Sequence, residues 1–185
     1  VKLISNIAAW IFGAGLVGLA LFVTADVIAR KFFGLSFEGA DELGGYVLAV
    51  GAALAFLVAL VVRAHMRIDV IYARLPVAPR AVLDWVSLFT LTCMAGLMVW
   101  LGWKMLRDSM AYHSSAPTPW ATPLAWPQGV WLSALALFFL ITAGSLIIAT
   151  RDLVRGRWRE VNARFGSSAE KDELDAELAD LKRRR

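Results

Sequence analysis

Four stretches of this chain lack any Asp, Glu, Lys, Arg or His: Leu3 to Ala25, Leu43 to Val62, Trp85 to Trp103 and Leu132 to Ala149. Each approaches or exceeds the roughly 17 to 25 apolar residues that cross a hydrocarbon core. A backbone in lipid must satisfy its own polar groups, which rules out open sheet and predicts helices. Cysteine is almost missing too. The one thiol, Cys93, lies inside the third stretch, allows no internal disulfide, and is expected as a small buried apolar residue. Histidine is limited to His65 and His113, expected on opposite sides of the membrane. That placement disfavours a metal site in this chain, and it disfavours a haem-bearing redox anchor, which needs axial ligands on facing helices. No nucleophile, base and orienting group converge in one leaflet, so an enzyme is the least favoured class.

What the chain has in abundance agrees. Hydrophobic residues make up 59%, mean hydropathy is +0.62, and there are eight Trp; ordinary soluble domains carry roughly 45 to 50% apolar residues. The expected fold is an all-α membrane protein: four transmembrane helices with an interfacial amphipathic segment and a charged C-terminal helix. Residues 1–150 are expected to form the four-helix transmembrane domain. Residues 151–185 then form a basic cytoplasmic segment and a charged amphipathic tail helix. Only Lys2 precedes the first stretch and no convincing cleavage site precedes Asp26, so this stretch is read as retained helix rather than signal peptide.

Cations set the orientation. Arg63, Arg67, Arg74 and Arg80 lie between the second and third stretches, and Arg151, Arg155, Arg157, Arg159 and Arg164 follow the fourth. Both segments are expected in the cytoplasm, and so are both termini. The net charge of +4 and pI near 9.6 therefore report leaflet preference rather than nucleic-acid binding. Trp85, Trp100, Trp103, Trp120, Trp126 and Trp131 fall at or near span ends, where indole rings anchor at the headgroup level. The Pro-rich run Ala116 to Pro127 is expected as an extended outer loop, alternatively a docking surface for a partner protein. Gly51, Ala55 and Ala59, with Ala14 and Gly18 on the first span, have the spacing of closely packed helices. On that basis span two is expected to be packed inside more than span three.

The polar junctions are more specific. Asp26 and Arg30, four apart, are placed for an ion pair on one helical face. After span two, Arg63 and Arg67 share one face while His65 and Asp69 share another, on a segment expected to lie along the cytoplasmic surface until Pro76 and Pro79 end it. Arg30-Lys31-Phe32-Phe33, then Asp41-Glu42-Leu43, then Arg63-x-His65-Met66-Arg67-x-Asp69, resemble the small membrane subunit, DctQ-like, of tripartite ATP-independent periplasmic (TRAP) transporters. The resemblance covers about residues 5 to 150. Asp41-Glu42 stands where many relatives carry two Glu.

The resemblance implies a component of a three-part importer in the bacterial inner membrane. A periplasmic substrate-binding protein delivers an organic anion, and a large membrane subunit carries it across with sodium in an elevator-like movement. The small subunit would hold the static part of that partner, with no cofactor of its own and sodium in the large subunit. Arg30, Asp41 and Glu42 would be structural or subunit-contact positions at the outer junction, and Arg63, His65, Arg67 and Asp69 their inner counterparts. The residues themselves point the same way, since no broken helix or intramembrane ionisable group marks a solute path. A stand-alone oligomeric channel or exporter is the main alternative. At the C-terminus, Ser167-x-x-Glu170 is a capping-box pattern leading into Leu174, Leu178 and Leu181 on one face of a helix that either docks or frays.

Overall fold

In the computed structural model, which describes residues 2–62 and 75–165, the chain forms five helices. These are α1 (Lys2–Phe33), α2 (Ala40–Val62), α3 (Val77–Ala111), α4 (Ala125–Val154) and the short α5 (Trp158–Phe165). The first four are long and apolar enough to cross a membrane, and no strand occurs among the described residues. Each outruns its charge-free stretch because, once a helix is in place, its interfacial turns continue with polar residues that still satisfy the backbone. The amphipathic segment after Val62 and the tail helix after Phe165 lie outside the described residues.

Local chemistry sets the ends. Gly34 closes α1 in the left-handed region at φ 66°, with the Leu35 amide returning to the Ala29 carbonyl at 3.3 Å. Gly39 caps the start of α2 by accepting from the Leu43 amide at 2.9 Å, and Asp41 and Glu42 in the first turn suit the helix dipole. Pro79 occupies the first turn of α3, where its missing N–H is one of the helix's orphan donors anyway. Pro127 does the same in α4, so the Pro-rich run is loop only through Leu124. That loop is not extended either. An isolated bridge pairs Ser115 with Pro123, and the Ala116 amide donates to the Thr122 carbonyl at 2.9 Å, folding the loop back on itself.

Two compact units emerge. The first comprises Val1–Val62 and Cys93–Ile141. Here α1 touches α2 along a narrow seam: Phe12 covers Gly51, and Val47 meets the position where Gly15 would carry a side chain. A small core forms from Ala53, Ala134 and Leu135, with Leu54, Met98, Val99 and Trp131 packed against it. Gly96 faces Phe139, and Gly102 faces Trp131 and Leu132. The second unit comprises, among the described residues, 75–92 and 142–165. In it α4 ends in a Schellman arrangement, with the Gly156 amide on Leu153 and the Arg157 amide on Asp152, and α5 turns back to bury Val161 completely.

Within this chain spans two and three are buried to a similar degree. The apolar window of α2 is 17% buried and that of α3 is 22%. α3 has a buried seam of its own: Ala81, Asp84, Leu88, Thr92, Ala95, Gly102 and Ser109, mostly small or polar, follow one another at steps of three, four or seven residues. Its large side chains, including Leu83, Phe89, Leu97 and Leu101, point away from the chain's own interior. Ala55, Ala14 and Gly18 are exposed, so their spacing does not mark contacts within this chain. Cys93 is exposed as well, because it lies one position beyond the seam residue Thr92.

Candidate functional site

The sequence-singled residues that the structure brings together sit in the first unit, where the α1–α2 and α3–α4 loops meet. Asp26 is almost fully buried at 1% exposure, whereas its ion-pair partner Arg30 is largely exposed. The carboxylate does more than pair with Arg30. Its Oδ1 accepts the backbone amide of Phe37 at 2.7 Å and the Ser36 hydroxyl at 3.2 Å, so one side chain of α1 fixes the loop that leads into α2. Because the second oxygen takes the guanidinium, both oxygens of this buried group are satisfied.

Glu42 does the equivalent for the other loop. Its Oε1 accepts the Tyr46 hydroxyl at 2.9 Å, one turn along α2, and its Oε2 accepts the Thr118 hydroxyl from the α3–α4 loop. Trp120 completes the closure. Its indole N–H donates to the Phe37 carbonyl at 3.1 Å, its ring lies edge-on to Phe22 with centroids 6.3 Å apart, and Phe22 also meets Phe37 at 5.8 Å. The ring rests directly on Gly39. A Cβ built there would fall 2.2 to 2.5 Å from Trp120 atoms, so only glycine fits. Asp41 is exposed and takes no part. The result is a clamp in which two buried carboxylates and one indole tie two loops together.

The second unit holds two buried carboxylates that sequence reasoning passed over, Asp84 and Asp152, both 0% exposed. Asp152 lies 3.4 Å from Arg164 of α5 and 3.6 Å from Arg151, while Asn162 donates to the Val77 carbonyl at 3.0 Å. Asp84, beside Trp85 on α3, is also engaged. Both escaped notice because each sits next to an apolar stretch and reads as its polar flank. The signal that could have found them is the three- and four-residue spacing that puts Asp84 on the seam of Leu88, Thr92 and Ala95.

The six tryptophans expected near span ends divide by what their rings touch. Trp85 donates to the Thr150 hydroxyl at 2.7 Å and stacks on Phe89, Trp131 packs on the small core, and Trp120 closes the clamp. Trp100, Trp103 and Trp126 are exposed, and Lys104 lies over the Trp100 ring at 5.2 Å. Thr90 and Thr92 bond back to carbonyls of their own helix, the ordinary use of a hydroxyl in an apolar helix. Arg63, His65, Arg67 and Asp69 lie outside the described residues.

No individually curated protein matches this sequence. Residues 19–152, well over half the chain, match the family described as tripartite ATP-independent periplasmic transporters, DctQ component. With four apolar helices of spanning length in the same region, the chain belongs to the DctQ family and is the small, multi-pass membrane component of a TRAP transporter.

Proposed function

We propose that this subunit is a static scaffold: it holds the fixed part of a large sodium-coupled membrane subunit while that partner moves an organic acid delivered by a periplasmic binding protein. The carrying observation is the use made of Asp26 and Glu42. Each is a buried carboxylate near a span end, and each is bonded to loop donors of its own chain. Groups that serve a transported ion or solute usually lie near the bilayer midplane and change partners during transport. A carboxylate that locks two loops resists movement instead. The surrounding surface fits the same reading, since α1 buries only 6% of its apolar window within this chain and leaves the rest for lipid or a partner.

In this reading the chain resides in the bacterial inner membrane with both termini in the cytoplasm. The clamp faces the periplasm, where the binding protein docks. Sodium and substrate sites belong to the large subunit. The test is reconstitution. Liposomes holding this chain alone are expected to take up no solute, and liposomes holding both membrane subunits with the binding protein are expected to show sodium-dependent uptake. Asp26→Ala and Glu42→Ala should lower the yield of the co-purified pair while leaving substrate preference unchanged. Sustained uptake by this chain alone would instead establish the stand-alone channel.

A further inference from the structure

At the end of α4, Ile147, Arg151 and Arg155 stand one turn apart on a single face. The helical turn runs on past Val154, because the Arg155 amide still donates to the Arg151 carbonyl at 3.2 Å. All three residues are exposed, and so is Val154 beside them. The face thus passes from apolar to basic along its length. Its charge-free part ends at Ala149, and at 1.5 Å per residue Arg151 and Arg155 follow by about 3 and 9 Å. The headgroup region adds roughly 5 to 8 Å to each side of the hydrocarbon core, and a long arginine side chain can lean toward it. Both guanidinium groups are therefore in reach of lipid phosphates.

The cations at this end are unequally engaged. Arg164 and Arg151 share one carboxylate, lying 3.4 and 3.6 Å from Asp152, and Arg157 lies 3.6 Å from Glu160. Arg155 and Arg159 have no acidic partner among the described residues. Residues 151–164 set five arginines against only Asp152 and Glu160, so the chain does not neutralise its own charge here. Trp158 adds a donor. Its indole nitrogen lies 3.9 Å from where a Cβ on Gly156 would stand, beside the turn that joins Arg155 to Arg157, and it finds no acceptor among the described residues.

We propose that this face of α4 seats an anionic phospholipid, with an acyl chain along Ile147 and Val154 and the headgroup phosphate held by Arg151 and Arg155 next to the Trp158 N–H. Charge selects the occupant. Apolar residues alone would accept any lipid, but unneutralised guanidinium groups at headgroup depth favour a lipid that brings net negative charge. An apolar partner helix laid over the same face would bury those cations without a counterion, which is costly.

The test uses the assembled transporter in vesicles of equimolar phosphatidylglycerol and phosphatidylcholine, with one or the other carrying the same photoactivatable diazirine in an acyl chain near the glycerol. Attachment to residues 147–158 is expected to favour phosphatidylglycerol, and the preference should shrink as salt is raised. Arg155 makes no ion pair within the chain, so Arg155→Gln should leave assembly intact while lowering the preference about fivefold, the factor one cation contributes at an anionic surface. Adding Arg151→Gln should lower it by a further similar factor. Arg155→Lys should retain most of it, and Arg107→Gln, an equal loss of charge near the end of α3, should leave it unchanged. If the double variant fails to assemble, Arg155→Gln and the salt series decide. Equal attachment of the two lipids, a preference that ignores salt or survives Arg155→Gln, or crosslinking of Arg155→Cys to another protein chain would each overturn the proposal.

Discussion

Gly39 carries a demand that composition hides. The Trp120 ring occupies the space a methyl group would need, and neither neighbour can retreat easily, since Trp120 is bonded to the Phe37 carbonyl and Gly39 caps α2. Gly39→Ala should therefore destabilise the protein by about 1 to 3 kcal/mol, the usual range for overpacking. Trp120→Ala should cost stability alone yet relieve much of the Gly39→Ala penalty when the two are combined. Thermal or denaturant unfolding of the four variants, followed by helical signal, reads the coupling directly; additive losses would mean that the ring does not rest on Gly39 in the membrane. Asp26 shows where sequence reading stops. Its pairing with Arg30 follows from a four-residue spacing, which is local and legible. Its bond to the Phe37 amide depends on how the chain returns after Gly34, and no periodicity encodes that.

At the scale of single helices, α5 is held by few contacts: Val161 buried, Asn162 on Val77, and Arg164 facing Asp152. Replacing Asp152 with Ala should release it. The expected outcome is faster cleavage around Arg155 to Arg159 in limited proteolysis, with helix content nearly unchanged, because α4 itself ends in a cap made by backbone groups at Gly156. Cleavage at the unaltered rate would show that Val161 and Asn162 secure the helix without it. The four long helices were legible because a charge-free run is an unmistakable signal in one dimension. Which of their faces turn inward was not. Large residues draw the eye to Leu83, Phe89 and Leu97, but a membrane-facing helix spends its bulk on the outside and packs through Ala81, Thr92, Ala95 and Gly102, so the soluble-protein intuition inverts.

For the molecule as a whole, sidedness is the quantity to measure. In a background where Cys93 is replaced by Ala, Ser115→Cys in the α3–α4 loop should react with a membrane-impermeant thiol reagent in intact spheroplasts, and Arg159→Cys in α5 only in inverted vesicles. The opposite pattern would turn the protein over and move the clamp to the cytoplasmic face. Membership of a transporter family was readable because the motifs Arg30 to Phe33, Asp41 to Leu43 and Arg63 to Asp69 follow one another between charge-free stretches. The clamp was not, since it needs Thr118 and Trp120 to arrive from the far side of α3. That distance governs the order of biogenesis. Thr118 and Glu42 are 76 residues apart, which at about 5 to 20 residues per second is a delay of roughly 4 to 15 seconds at the ribosome. Throughout that interval the Glu42 carboxylate has its neighbour Tyr46 but not its loop donor, and the emergence of the later loop supplies the partner that commits the hairpin of the first two helices to its mature form.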